Sequence, residues 1–165
     1  MAGTQTLKIV VIEDNLQMAE MIGDYLEQKF PHASITKFNT GESALAESNL
    51  NPDVIILDYN LDSQDPKALN GMQILMKIKK QFDAPVIFLS AQEKTDVSAS
   101  IIKLGAYDYV VKNQQSFHRL EIIINNIISG MQVKKDLQSQ KSSTKALIIV
   151  VVAIIAALVL FKAFG

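Results

Sequence analysis

The 165-residue chain contains no cysteine. That excludes disulfides, thiolate catalysis and cysteine-bound metals, and it fits a reducing compartment. Its two histidines, His32 and His118, have no ligand-spaced companions and read as surface residues. Charge of one sign is also lacking, with 16 Lys and Arg against 17 Asp and Glu. No global field therefore points to nucleic acid or to a strongly acidic partner. A signal peptide is not expected either. The apolar run Leu7–Ile12 is short, contains Lys8, and ends in Glu13-Asp14 where a small-residue cleavage site belongs.

What is present is room for one ordinary domain and an appendage. About 120–130 residues suffice to bury a core without staples. Residues 1–6 are small and polar and read as a frayed, disordered start. Apolar runs then alternate with amphipathic segments. Leu7–Ile12, Ser34–Phe38, Val54–Leu57, Pro85–Leu89 and Tyr107–Val111 read as strands. Met18, Ala19, Ile22 and Leu26 recur at helical spacing after the N-cap candidate Asn15, and Pro31 ends that helix. Thr40 caps a second helix through Ala44 and Leu45. Met72, Leu75, Ile78 and Phe82 mark a third, and Val97, Ile101 and Leu104 a fourth, stopped at Gly105. Leu120, Ile123, Ile124, Ile127 and Ile128 form the stripe of a fifth. Five β-then-α units with continuously apolar strands predict an α/β fold, a parallel sheet covered by helices on both faces.

The domain is expected over 7–130. Residues 131–145, with Lys134, Lys135, Lys141 and Lys145 among Gln and Ser, read as a linker or a helical extension of the fifth helix. From Ala146 to Phe161 every residue is apolar, and Lys162 is followed by Ala163 and Phe164. At 1.5 Å per residue, 146–164 would span about 28 Å, close to the roughly 30 Å of bilayer hydrocarbon. The expectation is a transmembrane anchor. A helix apolar on every face has no side for water, and the domain core is already complete without it. The lysines before it predict a cytoplasmic domain.

In an open parallel sheet, ligands sit beyond the carboxyl ends of the strands. The first strand ends at Glu13 and Asp14, the third at Asp58, the fourth at Ser90-Ala91 and the fifth at Lys112. Three carboxylates, a hydroxyl and an ammonium thus converge on one edge. Carboxylates gathered this closely repel unless a cation compensates, and a hard divalent ion, most simply Mg²⁺, suits an all-oxygen site. A carboxylate beside Mg²⁺ can attack phosphorus and form an aspartyl-phosphate. Lys112, the Ser90 hydroxyl and the Ala91 N–H could then hold the transferred oxygens. Taken singly these residues have plain structural readings: Glu13-Asp14 as a loop start, Asp58 as a cap, Lys112 as a solvated strand end. Jointly, at four strand ends, they do not.

Five segments carry a resemblance. They are Val10-Val11-Ile12-Glu13-Asp14-Asn15, Thr40-Gly41-Glu42-Ser43-Ala44-Leu45, Pro52-Asp53-Val54-Ile55-Ile56-Leu57-Asp58, Ala84-Pro85-Val86-Ile87-Phe88-Leu89-Ser90-Ala91 and Gly105-Ala106-Tyr107-Asp108-Tyr109-Val110-Val111-Lys112. In this order they resemble the bacterial receiver domain of two-component response regulators, over roughly residues 7–130. The resemblance implies a flavodoxin-like, doubly wound five-stranded sheet of order 2-1-3-4-5. It implies that Asp58 takes a phosphoryl group from a histidine kinase or phosphotransfer protein. Glu13, Asp14 and Asp58 would bind Mg²⁺ with the backbone carbonyl of Asn60. Ser90 and Tyr109 stand at the family's switch hydroxyl and switch aromatic, and Lys112 at its phosphate-pairing lysine. Asn60 and Gln92 stand where the family tunes phosphate loss. Homodimerisation through the fourth helix, fifth strand and fifth helix is a family habit.

Two departures from that pattern stand out. Asn113 follows Lys112 where the family usually has Pro, often through a cis bond. A cis non-proline bond would cost about 3 kcal/mol, which predicts a turn built differently. Asp62 stands at a usual Pro position, and Gly71 comes about five residues late by the family's pattern, so Asp62–Leu69 reads as an insertion. No DNA-binding or catalytic output domain is expected after residue 130, so output would pass through protein contacts, here with a membrane-associated partner. A non-phosphorylated scaffold on the same fold is the rival. A flavin protein would need a hydroxyl-rich phosphate loop where Glu13-Asp14 stand. A haloacid-type phosphatase would need Asp where Asn60 stands.

Overall fold

The computed structural model describes residues 6–61, 69–91 and 95–164, with the side chains of 95–97, 142, 151, 152 and 154–164 outside the description. It divides the chain into two compact units, 1–125 and 126–165.

The first unit is built by alternation. Its elements in chain order are β1 (Lys8–Ile12), α1 (Leu16–Lys29), β2 (Ser34–Phe38), α2 (Gly41–Ala46), β3 (Val54–Asp58), α3 (Gly71–Gln81), β4 (Val86–Ser90), α4 (Thr95–Lys103) and β5 (Asp108–Val111). The helix α5 starts at Ser116 and its range is Ser116–Phe164. The strands form one parallel sheet of order β2-β1-β3-β4-β5, as the resemblance implied. Every residue of β3 and β4 is buried, which explains their unbroken apolar sequence. The edge strand β2 is exposed along much of its length and is correspondingly polar.

Side chains of a strand alternate between faces. Val10, Ile12, Ile55, Leu57, Val86 and Phe88 point to one face and form a core with Ala44, Ile74, Leu75, Ile78 and Ile101. Their alternates Ile9, Val11, Val54, Ile56, Ile87 and Leu89 are also buried, as are Ala19, Ile22 and Leu26 of α1 and Leu120, Ile123 and Ile124 of α5. Right-handed crossovers account for this division. The step from β1 to β2 runs opposite to the steps β2 to β3 to β4 to β5, so α1 falls on one face and α2, α3 and α4 on the other. The loops after β1 and β3 therefore diverge and leave a crevice at the carboxyl edge.

Local chemistry sets the helix ends. The Asn15 side chain accepts from Met18 N at 3.0 Å, and Thr40 Oγ1 accepts from Ser43 N at 3.1 Å. Asn70 and Gln73 form a reciprocal capping box at the start of α3, with both hydrogen bonds 3.0 Å long. Gly105 ends α4 with φ +98°, a conformation that a side chain disfavours. The turn after Lys112 contains no cis bond, nor does any other described residue. Instead Asn113 Oδ1 accepts from Gln115 N at 2.8 Å, and Asn113 O accepts from Ser116 N and Ser116 Oγ. An Asx-type turn thus does the work a proline would do.

In the second unit, 131–145 is helical, one of the two states expected for it. Among the described residues no helix is long and apolar enough to cross a membrane. The anchor expected at 146–164 falls largely on positions whose side chains lie outside the described residues. Residues 62–68 of the expected insertion, and Gln92, lie outside them too.

Candidate functional site

The carboxyl ends of four strands meet at the crevice. The hydrogen bond from Glu13 N to Phe38 O, 3.0 Å, continues the β1–β2 ladder one residue past β1. Asp58 is the last residue of β3 and pairs in register with Leu89, while Tyr59 N donates to Leu89 O at 2.8 Å. Ser90 ends β4, and Lys112 N donates to Ser90 O at 2.7 Å. Sheet hydrogen bonding thus fixes the backbone under each side chain.

The carboxylates of Glu13, Asp14 and Asp58 each offer an oxygen within 4.8 Å of the others. Glu13 and Asp58 are buried and Asp14 is half-buried. Lys112 Nζ donates to Glu13 Oε2 at 2.7 Å and lies 3.0 Å from Asp58 Oδ2. Burial pushes the Glu13 carboxyl up to about 7, opposed by the Lys112 hydrogen bond and reinforced by the Asp58 charge. Burial also works against the Lys112 charge, but the hydrogen bonds and charges of Glu13 and Asp58 outweigh it and raise its pKa.

One lysine does not satisfy the group. Asp58 Oδ1 is buried and has no hydrogen-bond partner among the described residues. An unmatched buried acceptor of this kind costs about 1–3 kcal/mol, more when charged. The residues fit a hard cation on that ground: an all-oxygen donor set, excess negative charge and an orphaned carboxylate oxygen. Beside Asp14 a cleft of about 150 Å³ opens, bordered by Asn39, Thr40, Gly41, Glu42, Leu61 and Leu69. Of the three carboxylates, Asp14 lines it.

Other expected site residues lie at or near the ends of the same strands. Ser90 is buried at the end of β4, Ala91 is exposed beyond it, and Asn60 is half-buried two residues after Asp58. Tyr109 is half-buried and packs against the core. Its N–H donates to Asp108 Oδ1 at 2.7 Å, and Asp108 Oδ2 accepts from Arg119 at 3.2 Å.

Two supporting residues were not anticipated. Gly71 lies under the Asp58 backbone: a Cβ there would sit 2.7 Å from Tyr59 O and 2.9 Å from Asp58 O. Glu42 Oε1 accepts from Leu69 N at 2.8 Å and ties α2 to the chain entering α3. The Asn70–Gln73 spacing was a sequence signal for where that helix starts. Nothing in the sequence signalled the close approach at Gly71.

Comparison with known proteins agrees with the geometry. The family model of the response regulator receiver domain matches residues 9–125. A protein-glutamate methylesterase/protein-glutamine glutaminase of Bacillus subtilis is 31% identical over 109 residues, 64% of this chain and 29% of that protein. The regulatory protein LuxO of Vibrio cholerae is 26% identical over 141 residues, 84% of this chain and 29% of that protein. The chain therefore spans less than a third of these relatives. The receiver domain of the Francisella response regulator 1452 superposes with a TM-score of 0.65 at 29% identity, covering 76% of this chain and 99% of that one. Receiver domains bind Mg²⁺ at an acidic pocket, exchange phosphoryl groups with histidine kinases or phosphotransfer proteins, and often dimerise. By the match over 9–125, the chain belongs to the response regulator receiver family of two-component signalling.

Proposed function

We propose that this chain accepts a phosphoryl group on Asp58 in a Mg²⁺-dependent reaction and signals through protein contacts. The observation that carries the reading is the cluster of Glu13, Asp14 and Asp58, with Lys112 against Glu13 and Asp58 and with Asp58 Oδ1 left unmatched. Glu13, Asp14 and Asp58, with the Asn60 carbonyl, are the residues that would hold Mg²⁺. The ion supplies charge neutralisation for the transferring group.

The chain's own residues do the rest. An Asp58 carboxylate oxygen attacks phosphorus on a phosphohistidine. An O–P bond forms, the P–N bond breaks, and the imidazole leaves and takes up a proton. Lys112, already beside Asp58, neutralises an oxygen of the transferred group. The Ser90 hydroxyl and Ala91 N–H donate to another. Tyr109 and Ser90 are the residues that would register the new charge, a local event biasing a two-state element. Water later attacks phosphorus and releases inorganic phosphate from Asp58.

Residues 146–164 serve, in this reading, as a membrane anchor with the receiver in the cytoplasm. The support is the apolar sequence and the lysines that precede it. The partners are a histidine kinase or phosphotransfer protein and a membrane-associated output protein.

Incubation with acetyl phosphate and Mg²⁺, followed by intact mass, should show one added phosphoryl group, absent from Asp58→Asn. The same mass with and without phosphodonor would overturn the acceptor assignment.

A further inference from the structure

The second unit carries its charge in a pattern. Residues 126–150 contain four lysines, Lys134, Lys135, Lys141 and Lys145, and a single acid, Asp136. All five side chains are exposed. At about 100° per residue, Lys134, Lys141 and Lys145 fall within about 20° of one line along the helix. Asp136 lies about 200° around from Lys134, where it accepts from Gln132 at 3.0 Å. Lys134, Lys141 and Lys145 thus lie on a side of the helix away from Asp136. The stripe ends at Lys145, the residue before the apolar run that opens at Ala146.

We infer that this lysine stripe binds the anionic headgroups of the bilayer in which residues 146–164 sit. The inference rests on the anchor reading and adds to it a lipid preference. The position of the stripe sets its reach. With Lys145 at the surface and a rise of about 1.5 Å per residue, Lys141 lies about 6 Å above it and Lys134 and Lys135 about 15–17 Å. The Debye length at physiological salt is about 8 Å. Lys145 therefore acts on lipid phosphates nearly unscreened and Lys141 at about half strength, while Lys134 and Lys135 act weakly. Each lysine at the surface contributes about fivefold to the preference for an acidic lipid. A solvated stripe with no partner would show no such gradient along the helix.

The lack of native cysteine makes the test direct. Gln138→Cys places one fluorophore on the same stretch of helix in the full chain, reconstituted in phosphatidylcholine vesicles containing phosphatidylserine. Energy transfer to labelled phosphatidylserine should exceed transfer to labelled phosphatidylcholine severalfold at about 0.05 M salt and approach parity at about 0.5 M. Lys141→Gln with Lys145→Gln should remove most of the excess, and Lys134→Gln with Lys135→Gln much less. Equal transfer to the two lipids, or equal loss in both double variants, overturns the inference. Flotation separates it from the anchor. A chain that floats with pure phosphatidylcholine but shows no lipid preference refutes the lysine stripe alone. A chain that floats only with phosphatidylserine refutes the anchor, and with it the inference that rests on it. A chain that floats with neither refutes both.

Discussion

Lys112 Nζ lies 3.0 Å from Asp58 Oδ2 while donating to Glu13 Oε2 at 2.7 Å. The one ammonium is shared by two buried carboxylates, so it plays two opposed parts. It competes with Mg²⁺ for the carboxylates, and it supplies positive charge to a phosphoryl group arriving at Asp58.

Lys112→Ala separates those parts. Phosphorylation by acetyl phosphate should slow about 100-fold, the scale for losing one well-placed electrostatic stabiliser. Mg²⁺ should bind more tightly, because Glu13 and Asp58 lose their competing cation. Calorimetric titration of Mg²⁺ and the rate of phosphoryl incorporation read the two effects separately. An unchanged rate would contradict the role given to Lys112.

Asp58→Asn tests the charge balance. Asp58 adds to the repulsion that raises Glu13, and its Oδ1 has no donor among the described residues. Removing its charge leaves Lys112 paired with Glu13 alone. Without metal, the variant should be at least as stable as the parent chain. Mg²⁺ at 100 times its Kd should stabilise the parent by about 2.7 kcal/mol and the variant far less. Thermal melts with and without Mg²⁺ measure both. A metal-free melting temperature well below the parent's would count against the repulsion argument.

Gly71 gives a backbone test. A Cβ at that position meets the carbonyl oxygens of Tyr59 and Asp58 at 2.7 and 2.9 Å, and backbone cannot give way as a flexible side chain can. Gly71→Ala should cost about 1–3 kcal/mol and slow phosphoryl transfer by displacing Asp58. Gly130→Ala is the control: a Cβ there meets nothing within 4 Å, and the residue lies inside a helix. It should stabilise by about 0.5–1 kcal/mol through helix propensity. Chemical denaturation of the two variants should give opposite signs.

The pairing of Tyr25 with Glu121 predicts a pH window. Tyr25 OH donates to Glu121 Oε2 at 2.6 Å, and its ring lies 5.4 Å from that of Phe117, tilted by 33°. The hydrogen bond to Glu121, then burial and the Glu121 charge, push Tyr25 up to about 12 from 10.0. The same hydrogen bond, with Lys29 and His118 adding favourable charge, lowers Glu121 from 4.5. A raised Tyr25 contributes stability that is complete below pH 10.0 and lost as pH climbs through about 12. A lowered Glu121 contributes stability present above pH 4.5 and lost as pH falls through its folded value. The stability gap between the parent and Tyr25→Phe should therefore be widest between those limits and narrow on either side. A gap independent of pH would mean that the hydrogen bond contributes nothing.

Much of this arrangement was legible because it is local. The fully buried β3 and β4 announce themselves as unbroken apolar runs, and Asn15 and Thr40 cap where side-chain oxygens precede helical spacing. Once the sheet is parallel, Glu13, Asp58, Ser90 and Lys112 must share an edge. What was not legible depends on three-dimensional distance. That Lys112 reaches both Glu13 and Asp58 depends on their spacing across the sheet, and the packing of Gly71 under Asp58 links residues thirteen apart. The apolar spacing of α3 first shows at Met72, one residue after the helix begins, because Gly71 has no side chain to mark a face. The stretch 131–145 left linker and helix open, since Lys and Gln favour a helix while Ser does not.

The anchor is the part of the reading that rests most on composition, and it has its own test. Ala146 to Phe161 is uniformly apolar, a pattern that leaves a helix no face for water. A chain ending at Lys145 keeps the matched receiver region, 9–125, and the four lysines while losing the apolar run. In fractionated cells the full chain should sediment with membranes and resist extraction by high salt, whereas the shortened chain should be in the soluble fraction. Salt resistance matters, because lysine–headgroup attraction alone would be released as screening shortens its reach. Equal solubility of the two chains would remove the anchor and leave the acceptor chemistry of Asp58 untouched.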